Sequence, residues 1–213
     1  MTEVQVARVL HGTRAEGPGL RTAIWVQGCS IRCVGCINPQ LFSREGGSAQ
    51  TIKSIVEGAV SAGVEGLTLL GGEPFDQADA VAELAELARI HDLGVITFTG
   101  YTEEYLRGRS AGHRRLIAAT DLLVDGPYLQ EVPETRRALV GSTNQRFMHL
   151  TGRYQGFDSA AHPNRVDVKI SADGSVDIAG FMNAARLRAF SEPVGRRVRR
   201  KNTAFRDGDN WSE

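Results

Sequence analysis

The chain holds three cysteines, Cys29, Cys33 and Cys36, all in one short stretch with the spacing C-x3-C-x2-C. Three thiolates on one loop can hold three corners of a [4Fe–4S] cube. Iron–sulfur clusters are usually held by four thiolates. A deficit of one leaves an iron open to an exogenous ligand, which points to a reactive cluster rather than a closed electron carrier. The same thiols could instead bind a structural zinc with a histidine as fourth ligand. His11, His91, His113, His149 and His162 are available, but none has close ligand spacing to the cysteines. Incidental thiols are a third reading. A disulfide scaffold is disfavoured, because the cysteine number is odd and the chain is long enough to build a core.

The remaining composition bounds the setting. A chain of 213 residues is one domain, or one domain with an appendage. Its core needs no covalent staple. Acidic and basic residues balance at 25 each, so net charge gives no reason to expect a nucleic-acid partner. No apolar run approaches the roughly 20 residues of a membrane span. The stretch Met1–Val6 lacks the basic and apolar regions of a secretory signal. A cytoplasmic, reducing location is expected, which suits free thiolates. No internal repeat is evident, and no Ser/His/Asp constellation or Walker-type loop competes for the chemistry.

Elements must position the cysteines. Residues 23–27 read as a short buried strand running into the cysteine loop. Gly28 and Gly35 flank that loop and permit its tight turns. A helix is expected over 49–62, capped by Ser48 or Thr51, with Ile52, Ile55, Val56, Ala59 and Val60 inward. A strand at 67–70 ends in Gly71, Gly72, Glu73 and Pro74. A helix over 77–91 turns Val81, Leu84, Leu87 and Ala88 inward, and Gly94 opens a strand at 95–99. Short helices follow at 102–107 and 113–119. A strand at 121–125 is stopped by Gly126 and Pro127. Strands alternating with amphipathic helices imply parallel βαβ units. Functional groups then gather at the C-terminal strand ends, so the cysteine loop, Gly71–Pro74, Thr99–Tyr101 and Asp125–Pro127 should converge on one rim. The end of the chain differs. Residues 165–170 and 175–178 alternate around a turn at 172–174 and read as a β-hairpin. A short helix at 186–190 and a basic run at 196–201 follow, the latter read as a solvated end segment.

The cysteine spacing together with the Gly-Gly-Glu-Pro strand end resembles the radical S-adenosylmethionine (SAM) enzymes. Four further stretches narrow the likeness to glycyl-radical-enzyme activases. They are residues 16–21, Thr99–Tyr101, residues 123–126 and residues 141–145. The set is most similar to the activating proteins of anaerobic (class III) ribonucleoside-triphosphate reductases, which, like this chain at Gly35, carry glycine before the last cysteine. The likeness covers roughly residues 10–150.

The resemblance implies an α/β fold, a partial (open) parallel β/α barrel of radical SAM type, with a C-terminal β-hairpin extension. Its domains would be residues 1–150 carrying the cluster loop, 151–190 carrying the hairpin, and a basic tail at 191–213. It implies a [4Fe–4S] cluster on Cys29, Cys33 and Cys36. SAM would chelate the open iron beside Gly71, Gly72, Glu73 and Pro74, with Thr99 and Asp125 contacting SAM or a monovalent cation. Reductive cleavage of SAM would give a 5′-deoxyadenosyl radical that takes a hydrogen atom from a glycine of a partner glycyl radical enzyme, foremost the anaerobic reductase. A flavodoxin- or ferredoxin-type protein would supply the electron. Nucleic acid and membrane are not expected partners. Arg21 and the Gly17–Gly19 turn would shape the entry for the partner's loop. Asn144 and Gln145 would bond SAM or that loop, or be satisfied loop amides. Two rivals stand beside this reading: a radical SAM enzyme acting directly on a small molecule or peptide, and a non-catalytic metal-binding module.

Overall fold

The computed structural model describes residues 1–170 and 172–181. The expected helix at 186–190 and the basic run at 196–201 lie outside the described residues. In chain order the elements are β1 (Glu3–Thr13), β2 (Arg21–Val26), β3 (Ser48–Thr51), α1 (Ile52–Ser61), β4 (Gly66–Gly71), α2 (Ala78–Ile90), β5 (Gly94–Phe98), α3 (Glu103–Arg107), α4 (Ala111–Ala119), β6 (Leu122–Asp125), β7 (Arg146–His149), β8 (Val166–Ile170) and β9 (Val176–Gly180). Seven strands form one sheet in the order β3-β1-β2-β4-β5-β6-β7. Its centre, β2, β4, β5 and β6, is parallel. Antiparallel strands flank it on both sides. The fold is therefore α/β. No helix among the described residues is long and apolar enough to cross a membrane.

The period of two along each strand divides the residues between two faces. Ile24, Val26, Leu67 and Leu69 pack with Ile55, Val56, Val81 and Leu84 into the main core. Burying each such side chain is worth about 2 kcal/mol. The opposite face carries a smaller cluster of Leu10, Ala23, Trp25, Leu41 and Ala179. Helix α1 starts at Ile52, not 49, because Ser48–Thr51 pair with β1 as a strand. Thr51 caps the helix by accepting from the Ser54 N–H at 3.2 Å. Val60 is exposed, so the inward face is narrower than the periodicity implied. Strands β1, β3 and β7 add antiparallel flanks that the βαβ pattern does not announce.

Arg21 has a different place from the one expected. It opens β2 and is fully buried. Its guanidinium donates to Thr68 Oγ1 at 2.6 Å, Tyr154 Oη at 2.7 Å, Gly94 O at 3.0 Å and Pro18 O at 3.1 Å, and to Leu67 O. Gly66 and Gly94, the first residues of β4 and β5, lie in register beside it. Arg21 and the Gly17–Gly19 turn thus sit at the N-terminal end of the parallel strands, opposite the cysteine loop. Burial lowers the guanidinium pKa without threatening its charge.

Residues 151–181 belong to the same compact unit as the rest of the described chain. Strands β8 and β9 pair antiparallel. Asp167 accepts from the Thr13 hydroxyl and the Arg14 N–H, each at 2.7 Å. The Glu16 carboxylate accepts from the Gly180 N–H at 2.6 Å.

Replacing Arg21 by Met would leave buried carbonyls and two hydroxyls without their donor. We expect Arg21→Met to cost about 3 kcal/mol or more. A urea midpoint equal to that of the unaltered chain would refute the structural role.

Candidate functional site

Strand β2 delivers the chain to Cys29 through Gln27 and Gly28. The base of the cysteine loop is closed by backbone bonds from Gly28 N to Leu41 O (3.0 Å) and from Cys29 N to Phe42 O (3.3 Å). The Gln27 side-chain amide donates to Ser43 O at 2.7 Å and holds the returning chain. The loop turns through left-handed backbone at Gly28 (φ 93°), Arg32 (φ 53°) and Gly35 (φ 75°). Two of these are the glycines marked from sequence. Ser30 fastens the loop from outside: its N–H and hydroxyl reach Asp76 at 2.7 and 2.8 Å, and its hydroxyl meets Tyr101 Oη at 2.8 Å.

The Gly-Gly-Glu-Pro segment runs alongside. Gly72 N bonds Val26 O at 2.9 Å and Glu73 N bonds Gly28 O at 2.8 Å, which carries the β2–β4 ladder past the strand ends into the cysteine loop. That approach demands glycine twice. A Cβ on Gly72 would collide with the Gly28 carbonyl, and one on Gly71 (φ 105°) would meet Trp25. Pro74 opens a buried 3₁₀ turn, Pro74–Gln77, which leads into α2.

Glu73 is 1 % exposed. Its Oε1 accepts from the Thr99 hydroxyl (2.8 Å) and the Phe75 N–H (3.0 Å), and its Oε2 accepts from the Gly100 N–H (3.0 Å). One carboxylate thus joins the ends of β4 and β5. Burial outweighs these bonds and pushes its pKa up to about 7.

Cys29, Cys33 and Cys36 line one cleft together with Gly71, Gly72, Glu73 and Thr99. Asp125 stands apart. Fully buried, it accepts from Arg146 Nε and from the Glu103 N–H, each at 2.8 Å, with a second arginine contact at Oδ2. Its carboxylate positions α3 and β7. Gln145 lines the cleft, yet its Oε1 accepts from the Gly141 and Ser142 N–H groups at 2.9 and 3.2 Å. Asn144 donates to Pro127 O at 2.8 Å. Both amides serve the loop, although Asn144 Oδ1 is buried without a partner among the described residues. Sequence reasoning gave no role to Ser30, Asp76 or Tyr101. The signal for Asp76 was its place in the first turn after Pro74.

The donor set suits a cluster better than a single ion. The cleft wall holds three cysteines and no histidine. Burial raises the Cys29 and Cys36 thiols, so metal binding there must displace protons. The cleft encloses about 150 Å³. That is below the roughly 300 Å³ minimum of small-molecule sites, so a ligand the size of SAM would extend along its open side.

The family model described as a 4Fe-4S single cluster domain matches residues 15–148, and the chain belongs to that family. The chain is also similar to proteins named anaerobic ribonucleoside-triphosphate reductase-activating protein. That of Vibrio cholerae serotype O1 is 31 % identical over 146 residues, covering 63 % of this chain and 91 % of the relative. That of Enterobacteria phage T4 is 28 % identical over 142 residues, covering 63 % and 87 %. That of Escherichia coli K12 is 26 % identical over 145 residues, covering 63 % and 91 %.

Two outcomes follow. Gly72→Ala should cost about 2 kcal/mol and lower iron retention after reconstitution; full stability with full iron content would disprove the close approach. Glu73 binds more protons folded than unfolded between its ordinary value of 4.5 and about 7. Its contribution to stability should therefore decline as pH rises through that window. In apo protein, Glu73→Gln should flatten this slope, as read by urea midpoints across the pH series.

Proposed function

We propose that this chain is a radical SAM activase that generates a glycyl radical on an anaerobic ribonucleoside-triphosphate reductase. The carrying observation is the hydrogen-bonded continuity between the three-cysteine loop and Gly71–Glu73 in one cleft, in a chain similar along most of the relatives' length to proteins named for that activation. Cys29, Cys33 and Cys36 would hold the [4Fe–4S] cluster. Gly71 and Gly72 would present bare backbone to SAM. Glu73 and Thr99 act as positioning groups that lock the strand ends behind it. When bound, the reduced cluster and SAM would supply one electron and a 5′-deoxyadenosyl radical for removal of a hydrogen atom from the Cα of the partner's glycine. Glycine suits that attack because no side chain blocks approach.

The reading extends to setting and architecture. The sheet is read as an open, partial β/α barrel, with β8 and β9 as a hairpin extension to it. A flavodoxin- or ferredoxin-type protein in the cytoplasm would be the reductant. A monovalent cation gains no support from Asp125, whose oxygens are committed to Arg146 and α3.

One observation favours direct action on a small molecule or peptide instead. Strands β8 and β9 lie beyond the family match, and Ala179 packs in one cluster with Trp25 on the sheet face opposite the main core. The two readings part in one experiment. After anaerobic reconstitution and reduction with SAM, the chain should form 5′-deoxyadenosine and place a glycyl EPR doublet on the reductase. Deoxyadenosine without the doublet would favour the second reading. Cys33→Ala should reduce deoxyadenosine to background; retained cleavage would remove Cys33 from the cluster.

A further inference from the structure

A second opening lies at the N-terminal end of the parallel strands, away from the cysteine loop. It encloses about 250 Å³ and shares no wall residue with the cleft that holds the cysteines. Arg14, in its wall, follows Thr13, which pairs with Arg21 at the start of β2. Gly17 and Gly19 turn the chain into β2 through left-handed backbone, with φ 138° and 77°. The rest of the wall comes from Leu139, Phe157, His162 and Arg165, with neighbouring alanines and prolines.

This wall offers two kinds of contact. Arg14 and Arg165 are exposed, and neither guanidinium forms a salt bridge among the described residues, although several other arginines there do. Among the described residues no acid lines the opening. The surrounding carboxylates turn to other donors. Asp167 takes the Arg14 N–H at 2.7 Å, Glu16 the Gly180 N–H at 2.6 Å, Glu65 the Leu20 N–H at 2.8 Å and Asp158 the Ala160 N–H at 2.8 Å. The second kind of contact is a flat ring surface. His162 stacks on Phe157 with centroids 5.3 Å apart and planes 8° from parallel, and Phe157 leans on Phe147 of β7 at 6.3 Å. His162 is exposed and Phe157 is half-buried, so the stack is backed by the sheet and open outward. Leu139 adds strained backbone. It is a non-glycine residue at φ 71°, and its N–H is held by Asn164 Oδ1 at 2.9 Å. Strain of this kind persists only where the surroundings over-determine it, and it clusters at ligand clamps.

We propose that this opening binds a nucleotide, with Arg14 and Arg165 taking the phosphate and the His162–Phe157 stack taking the base. Arginine suits a phosphate because its planar fork donates two parallel hydrogen bonds. An aromatic surface accepts any base through its π face. The volume falls just under the roughly 300 Å³ at which small-molecule sites begin. That fits a mononucleotide whose base rests on the open side. A bare phosphate would leave the ring surface unused, and a neutral aromatic would leave both arginines unused. The site stands apart from the activase reading, and its place at the far end of the strands leaves the cysteine cleft free for its own ligands.

The test uses the reconstituted holoprotein with saturating SAM, so that the cleft does not draw the nucleotide. Calorimetry with AMP, GMP, CMP and UMP should find one site for at least one of them. That nucleotide should bind at least about tenfold more tightly than ribose 5-phosphate or its own nucleoside. The Arg14→Gln/Arg165→Gln variant should weaken it about tenfold or more at an unchanged urea midpoint, and Arg14→Lys/Arg165→Lys should lose less. His162→Ala should lower nucleotide affinity toward that of ribose 5-phosphate and leave ribose 5-phosphate itself unchanged. A merely loosened fold would not produce that split. Binding of none of the four nucleotides at millimolar concentration would overturn the proposal. So would full affinity in the glutamine variant, which would place the nucleotide elsewhere, or equal binding of ribose 5-phosphate, which would remove the base platform. Failure of SAM itself to bind would count against the activase reading alone, and the nucleotide titrations are then read without it.

Discussion

The Glu73 carboxylate is the interaction on which the rest of the site depends. Three parallel strands end near one another, and each leaves backbone groups that the ladder no longer pairs. Glu73 gathers them. Its own N–H takes Gly28 O from the end of β2, and its oxygens take the Thr99 hydroxyl and the Gly100 N–H beyond β5. A buried group with several partners is costly to remove, because each partner is then orphaned in low dielectric. Burial simultaneously raises its pKa to about 7. The carboxyl is thus held by geometry rather than by a counter-charge, and it leaves the cleft without a fixed ion pair that an incoming ligand would have to break.

The two ends of the parallel sheet solve opposite problems. At the N-terminal end Arg21 spends its donors on strand carbonyls and on Thr68 and Tyr154, sealing the interior with a guanidinium. At the C-terminal end glycines keep the backbone bare, and the polar groups of Ser30, Asp76 and Tyr101 are pushed outside the cysteine loop. Parallel strands make such a division natural, since every loop after a strand emerges on the same side. Rigidity at one end permits backbone exposure at the other.

How much of this was legible follows from which interactions are local. The cysteine loop, its glycines and the Gly-Gly-Glu-Pro turn are contiguous, so their spacing alone announced them. The four parallel strands were readable because each buries both faces and sits between helices of clear period. Strands β1 and β7 were not, since an antiparallel flank is defined by its partner rather than by a pattern of its own. The partners of Arg21 and Asp125 were not legible for a related reason. A charged residue beside a glycine turn reads the same whether it faces solvent or is buried, and only the distant partners Tyr154 and Arg146 decide. The Thr51 cap was readable because its acceptor and donor lie three residues apart.

Strands β8 and β9 show the limit most clearly. Period-two alternation identifies a strand pair but is silent on which face turns inward. Here the cross-strand pairs Asp167↔Ala179 and Lys169↔Asp177 share one face, and Val168↔Ile178 and Ile170↔Val176 share the other. The first face is the latched one: Asp167 takes the Thr13 hydroxyl and Arg14 N–H, Asp177 lies 3.5 Å from Arg8, and Ala179 is buried beside Trp25. Val166, Val168, Ile170 and Val176 are left exposed. A two-stranded pair is marginal by itself in water, so its register here is set by polar bonds to β1 rather than by an apolar face. A slip of one residue would turn valines toward Arg8 and withdraw both carboxylates from their donors. The latch therefore specifies orientation and register together, which hydrophobic patterning alone would have placed the other way round.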